Sequence, residues 1–226
     1  MNIYPHPVHS TLSDTQLGQE ELKKLLAIAK QNGGEFAEVY IEHTVNNNIG
    51  LDEDKISSAR RGVDMGVGIR VLHGEKTGYA HSDDLSLDKL KETARVAGLI
   101  AASKAKQTDF DLKKQKIPSY YMVKTSPDSI VPAEKAKPPA KANSTARDYN
   151  KSISQVYVSY SDSNTEITIA NSEGLLVNDV QTLTRLIVFV SALEKGKRSS
   201  GYAYKGGTLG YEHYNLKLAA ELAEEA

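Results

Sequence analysis

The chain has 226 residues, of which 39% are hydrophobic and 25% charged, with a net charge of -1 at neutral pH, a balance ordinary for a folded soluble protein. A near-neutral chain has no general attraction for phosphate backbones or anionic lipid, and the lack of any cysteine excludes disulfides, thiolate nucleophiles and cysteine metal sites. The length leaves room for one large or two small domains.

Residues 1–16 are polar and contain Pro5, Pro7, His6 and His9, the composition of a flexible lead-in. They lack the basic and apolar regions of an export signal, and no later stretch approaches a membrane span, so the expected compartment is the cytoplasm. From Gln19 to Lys30, Leu22, Leu25, Leu26 and Ala29 recur at helical spacing. Glu20 and Glu21 in the first turn and Lys30 in the last suit the helix dipole, and Asn32-Gly33-Gly34 ends the helix.

Glu35 to Asn48 reads as a strand, with Ala37, Val39 and Ile41 alternating against polar residues. Asn46-Asn47-Asn48 interrupts that pattern and predicts a bulge or turn. Ile49 to Arg61 continues as extended chain, with Asp52-Glu53-Asp54 as an acidic turn.

Gly62 to His81 is the stretch the rest is organised around. Met65, Val67, Ile69 and Val71 give one apolar face, while Gly66 and Gly68 leave the other face without side chains. A glycine inside a strand marks a bulge or a close approach by a backbone or ligand. His73-Gly74-Glu75-Lys76 supplies the turn, and Thr77 to His81 returns. Arg70, on the bare face, offers a grip for a carboxylate or a peptide carbonyl; a structural ion pair is the simpler reading. Gly66, Gly68, Arg70 and Tyr79 are the candidate substrate-binding residues of this hairpin.

Ser86 reads as the N-cap of a second helix, striped by Leu87, Leu90, Ala94, Ala97 and Ala101 and running to about Ser103. Helix, antiparallel strands, helix is an α+β arrangement with helices on one face of a sheet. Lys104 to Lys141 is rich in lysine, poor in apolar residues and punctuated by five prolines from Pro118 to Pro139. It reads as an extended crossing with a short helix around Ala140 to Asn150; interrupting aspartates and few aromatics favour a solvated connector over a nucleic-acid surface.

Ile153 to Tyr204 reads as an antiparallel meander. Turns are expected at Asp162-Ser163-Asn164, at Asn171 to Gly174 and at Glu194 to Lys197, and Leu183 to Leu193 is apolar on both faces, as in a strand covered on both sides. Asn215 caps a last helix that runs through Glu224-Glu225 without a glycine stop or basic last turn, which is expected of a cut chain rather than of a natural helix end.

The six histidines form no His-Glu-x-x-His motif. Gly66-x-Gly68 opens like a dinucleotide fingerprint, but Val71 stands at the sixth position and no helix follows. Neither a phosphate loop nor a nucleophile elbow is present in the sequence. No catalytic and no metal residue is assigned.

Gly66 to Leu85 resembles the first signature of the TldD/PmbA family, also called modulators of DNA gyrase, and Ile167-Thr-Ile-Ala-Asn-Ser-Glu-Gly174 resembles the second. The Gly-Tyr-Ala form of the hairpin is nearer the TldD branch. The resemblance covers about residues 20–105 and 150–226. It implies a cytoplasmic zinc metalloprotease that works as a complex of TldD-like and PmbA-like subunits enclosing a chamber and cutting unfolded peptides. It also implies a zinc site of His-Glu-x-x-x-His plus a later cysteine in a C-terminal domain. No residue here matches that motif, so no cofactor is expected within this chain and zinc is expected only in the full-length family protein.

The expected division is a lead-in (1–16), a first domain (17–105), a linker (106–150) and a central domain (151–226), with the zinc-bearing domain absent. The expected role is chamber wall, peptide docking and association with a homologous subunit. The alternative is a non-catalytic module that binds or regulates a full-length partner. The near-neutral charge speaks against direct DNA binding.

Overall fold

The structure, a computed structural model, describes residues 17–102, 110–118 and 120–226; the readings made for residues 1–16, 103–109 and 119 lie outside them. In chain order the elements are α1 (Gln19–Lys30), β1 (Phe36–Asp52), β2 (Lys55–His73), β3 (Lys76–Ser82), α2 (Leu87–Ile100), β4 (Lys113–Lys114), α3 (Pro132–Lys135), α4 (Lys137–Tyr149), β5 (Ile153–Asn171), β6 (Leu175–Glu194), β7 (Lys197–Gly207) and α5 (Leu216–Glu225). The seven strands form a mainly antiparallel sheet ordered β3-β2-β1-β5-β6-β4, with β7 also paired to β6. The α+β reading holds.

The chain divides into two compact units, and β1, β2, β5 and β6 each contribute one segment to both. The first unit takes the described residues of Met1–Thr44, Asp64–Pro118 and Thr165–Val180. Its core joins Leu22, Leu25, Leu26 and Ala29 of α1 and Leu90, Ala94 and Ala97 of α2 to Val39, Ile41, Val67, Ile69 and Val71 of the sheet. Each fully buried Leu, Ile or Val contributes roughly 1.5–3 kcal/mol from burial. Glycine allows the closest approaches: a Cβ on Gly98 of α2 would run into the carbonyl of Ala29, and one on Gly78 of β3 into that of Ala97. Ser86 makes no side-chain cap to α2. Instead its N–H donates to Asp84 Oδ1 at 2.8 Å, and the Asp84 N–H to Ser82 Oγ at 3.1 Å.

The second unit takes Val45–Val63, Ser119–Asn164 and Gln181–Ala226, of which Ser119 is not described. Its core places Ala142 and Ala146 of α4 and Ala219, Leu222 and Ala223 of α5 against Ile49, Val156, Val158, Tyr160, Leu186 and Val188. Pro138 and Pro139 open α4, where a missing N–H has no helical partner to lose. Asn215 caps α5, its Oδ1 accepting from the N–H of Lys217 at 3.0 Å and of Leu218 at 2.9 Å.

The bulge or turn expected at Asn46-Asn47-Asn48 and the turn expected at Asp162-Ser163-Asn164 both fall within strands, β1 and β5 respectively. Their side chains bond across the sheet: Asn47 Nδ2 to Asp162 Oδ1 at 2.7 Å, Asn48 Nδ2 to Ser159 Oγ at 3.0 Å and Thr182 Oγ1 to Asn164 Oδ1 at 2.8 Å. Polar residues that mark turns in isolation here form inter-strand bonds. The acidic turn at Glu53-Asp54 is present, both residues at positive φ. The hydrogen bond from Asn143, together with the Arg147 guanidinium, holds the Asp54 carboxyl below the usual carboxylate range.

Candidate functional site

The β2–β3 hairpin of the first unit sets Gly68 opposite His81 and Arg70 opposite Tyr79. Opposed residues of an antiparallel pair share a face, so Gly66, Gly68, Arg70, Tyr79 and His81 lie on one side, and Val67, Ile69 and Val71 are buried on the other. The structure therefore brings the four sequence candidates onto one face.

Their roles differ. A Cβ on Gly68 would stand 2.8 Å from Tyr79 Oη and 3.2 Å from Cε2, so the bare glycine is the floor on which the tyrosine ring lies. Gly66 remains open, its nearest neighbour on that side being the Ser82 carbonyl oxygen, 3.5 Å from where a Cβ would be. Tyr79 is 56% exposed and stacks on His81 with centroids 6.1 Å apart. Arg70 Nη2 donates to Glu38 Oε1 at 3.0 Å, the structural ion pair of the simpler reading; with both groups partly in water it contributes only about 0–1 kcal/mol. Because β3 ends the strand order among the described residues, the hairpin also offers a strand edge beside the aromatic platform.

The second unit holds a cleft of about 650 Å³ that the sequence did not announce. Its lining includes Asn46, Ser161, Arg185, Tyr204 and Gly206. Strand alternation explains the grouping. Tyr160, Leu186 and Ala203 point into the core, so Ser161, Arg185 and Tyr204 point to the opposite face. The Arg185 guanidinium carbon sits 5.1 Å from the centroid of the Tyr204 ring, within cation–π range. Gly206 pairs with Arg185 across β6 and β7; a Cβ there would come within 3.1 Å of Arg185 Cγ.

Asp162, also at the cleft, is buried and already engaged: Lys135 Nζ reaches its Oδ2 at 2.6 Å and Asn47 Nδ2 its Oδ1. Burial and the neighbouring Asp162 push the Asp128 carboxyl up, and burial first, then Asp162, pushes up the Tyr160 hydroxyl. The sequence signal for the cleft was faint, being only Arg185 among the mainly apolar residues Leu183 to Leu193 and the Gly206-Gly207 pair.

Among the described residues no three His, Asp or Glu side chains converge as a metal ion requires, and the sequence supplies no cysteine. The described residues do not fit a zinc centre, and no catalytic step is derived through one.

Residues 37–101 match the family profile described as PmbA/TldA metallopeptidase domain 1, and residues 125–226 the profile described as PmbA/TldA metallopeptidase central domain. The class is thus that of the first and central domains of the PmbA/TldA metallopeptidase family. The chain belongs to the TldD/PmbA family and corresponds to its N-terminal portion. A metalloprotease TldD homolog of Buchnera aphidicola (subsp. Acyrthosiphon pisum) is 26% identical over 180 residues, 80% of this chain and 37% of the relative. One of Haemophilus influenzae is 26% identical over 210 residues, 91% of this chain and 43% of the relative. The chain thus spans about two-fifths of the length of these relatives.

Two solved structures share the fold. A candidate modulator of a DNA gyrase from Thermotoga maritima superposes with a TM-score of 0.72 at 23% identity, over 92% of this chain and 47% of that one. TldE of Thermococcus kodakarensis gives 0.68 at 16% identity, over 91% and 46%. No described helix is long and apolar enough to cross a membrane.

Proposed function

We propose that this chain is the peptide-handling portion of a TldD-like cytoplasmic metalloprotease that processes unfolded peptides. It forms chamber wall, docks an extended peptide and associates with a homologous TldD/PmbA-type subunit, while zinc and the hydrolytic chemistry belong to a further part of the family protein. The proposed division keeps residues 17–105 and 151–226 as the two family domains, joined by 106–150. Gly66, Gly68, Arg70 and Tyr79 are the proposed substrate-contacting residues. Direct DNA binding has no part in this reading.

The observation that carries it is the exposed face of the β2–β3 hairpin, with Gly66 open, an aromatic ring laid flat beside it and a strand edge adjacent. Strand addition reads backbone rather than side chains, which suits a protein that meets many unfolded sequences. The name of the curated relatives supports proteolysis.

The second reading is a module that binds and regulates a full-length partner without catalysis. Co-purification with a TldE-type subunit, followed by a peptidase assay on each species, separates the two. The first reading predicts binding, with cleavage appearing only when the zinc-bearing segment is present in the same chain. If this chain binds and alters cleavage by an intact TldD-type enzyme, the second reading holds. Failure to bind any such subunit overturns the association role in both.

A further inference from the structure

We propose that the cleft of the second unit binds a peptide carboxylate through Arg185. This deepens the reading above and rests on it, since it names the group by which an extended peptide would be anchored.

The charge balance at the cleft is the first reason. Of its lining residues, the acidic one is Asp162, and that carboxylate is buried and held by Lys135 at 2.6 Å and Asn47 at 2.7 Å. A buried ion pair is neutral to its surroundings, which leaves the Arg185 guanidinium to set the sign, and the cleft draws anions.

Geometry is the second. The guanidinium carbon lies 5.1 Å from the centroid of the Tyr204 ring. The planar N–H fork of a guanidinium matches the two oxygens of a carboxylate. Stacking also reduces the conformational freedom that binding would otherwise remove. A phosphate dianion would call for more than the one guanidinium set here. Gly206, directly across from Arg185, leaves room for the arginine's stem, since a Cβ there would stand 3.1 Å from Arg185 Cγ, and the hydroxyl of Ser161 stands on the same face as a further donor.

The carboxylate can come from a peptide's C-terminus or from an Asp or Glu side chain. Three unstructured decapeptides of otherwise identical sequence distinguish them by titration calorimetry on the full chain. One has a free C-terminus, one is amidated with an internal Glu, and one is amidated without acidic residues. The expected result is that one of the two acid-bearing peptides binds about tenfold or more tighter than the neutral one, which is the size expected of a charge-assisted hydrogen bond.

Arg185→Gln abolishes that preference and leaves binding of the neutral peptide unchanged; Arg185→Lys keeps only part of it. Arg185 is exposed, so neither variant is expected to unfold, and circular dichroism checks this. Equal binding of all three peptides, or a preference that survives Arg185→Gln, overturns the carboxylate site while leaving peptide docking intact. Failure of all three to bind overturns both.

Discussion

Lys135 Nζ lies 2.6 Å from Asp162 Oδ2, with both side chains almost wholly removed from water. The pair fastens α3, a four-residue helix, to the middle of the long strand β5. Removing one partner leaves the other charge buried and uncompensated, which costs about 3–5 kcal/mol. Lys135→Met is therefore expected to lower unfolding stability by about that much. Adding Asp162→Asn, which removes the stranded charge and keeps an acceptor for Asn47, restores most of it. Urea unfolding of the two single variants and the double variant measures the coupling; additive losses would contradict it.

The two hairpin glycines Gly68 and Gly78 predict opposite outcomes for the same substitution. At Gly78 the new methyl meets the backbone carbonyl of Ala97, which cannot move without shifting α2. Gly78→Ala is expected to destabilise by about 1–3 kcal/mol, the range for overpacking a tight core. At Gly68 the new methyl meets the tip of the Tyr79 ring, an exposed side chain free to swing away. Gly68→Ala keeps the melting temperature within a few degrees and weakens peptide binding, because the platform is lost. Thermal melts paired with peptide titrations read both.

Much of this architecture is legible in the sequence. α1 begins and ends at the expected residues, because leucine spacing, charge placement and a double glycine agree. The hairpin of β2 and β3 is equally plain, since alternation is strict and the turn carries Gly74 at positive φ. The asparagine and Asp-Ser-Asn runs mislead because a turn and a polar sheet seam use the same residues. Only their partners across the strands, such as Asp162 for Asn47, tell them apart. The candidate face emerged as glycine and aromatic positions. The Arg185 cleft did not, because it joins β1, β5, β6 and β7 across more than 150 residues of sequence.

A helix cap gives a smaller test. Asn215 Oδ1 accepts from two backbone N–H groups of α5, so Asn215→Ala should cost about 1 kcal/mol and Asn215→Asp much less. Equal losses for the two would mean that the side-chain bonds are not made.

Alkaline pH should weaken the fold through Tyr40. Burial, and then the hydrogen bond to Glu42, push its hydroxyl up to about 12, from 10.0. Between those values the unfolded chain has lost the proton and the folded chain keeps it, so the unfolded state binds fewer protons and stability falls as pH rises from 10 towards 12. Tyr40→Phe should flatten that part of the profile. Denaturant midpoints measured every half unit provide the check, and an unchanged slope would contradict it.

The central claim is that an extended peptide lies against the β2–β3 hairpin. Amide hydrogen exchange over Met65 to Ala80, with and without saturating unstructured peptide, tests this most directly. The account predicts slower exchange in that segment, with α4 and α5 unchanged. Unaltered exchange at Met65 to Ala80 with the peptide bound would contradict it.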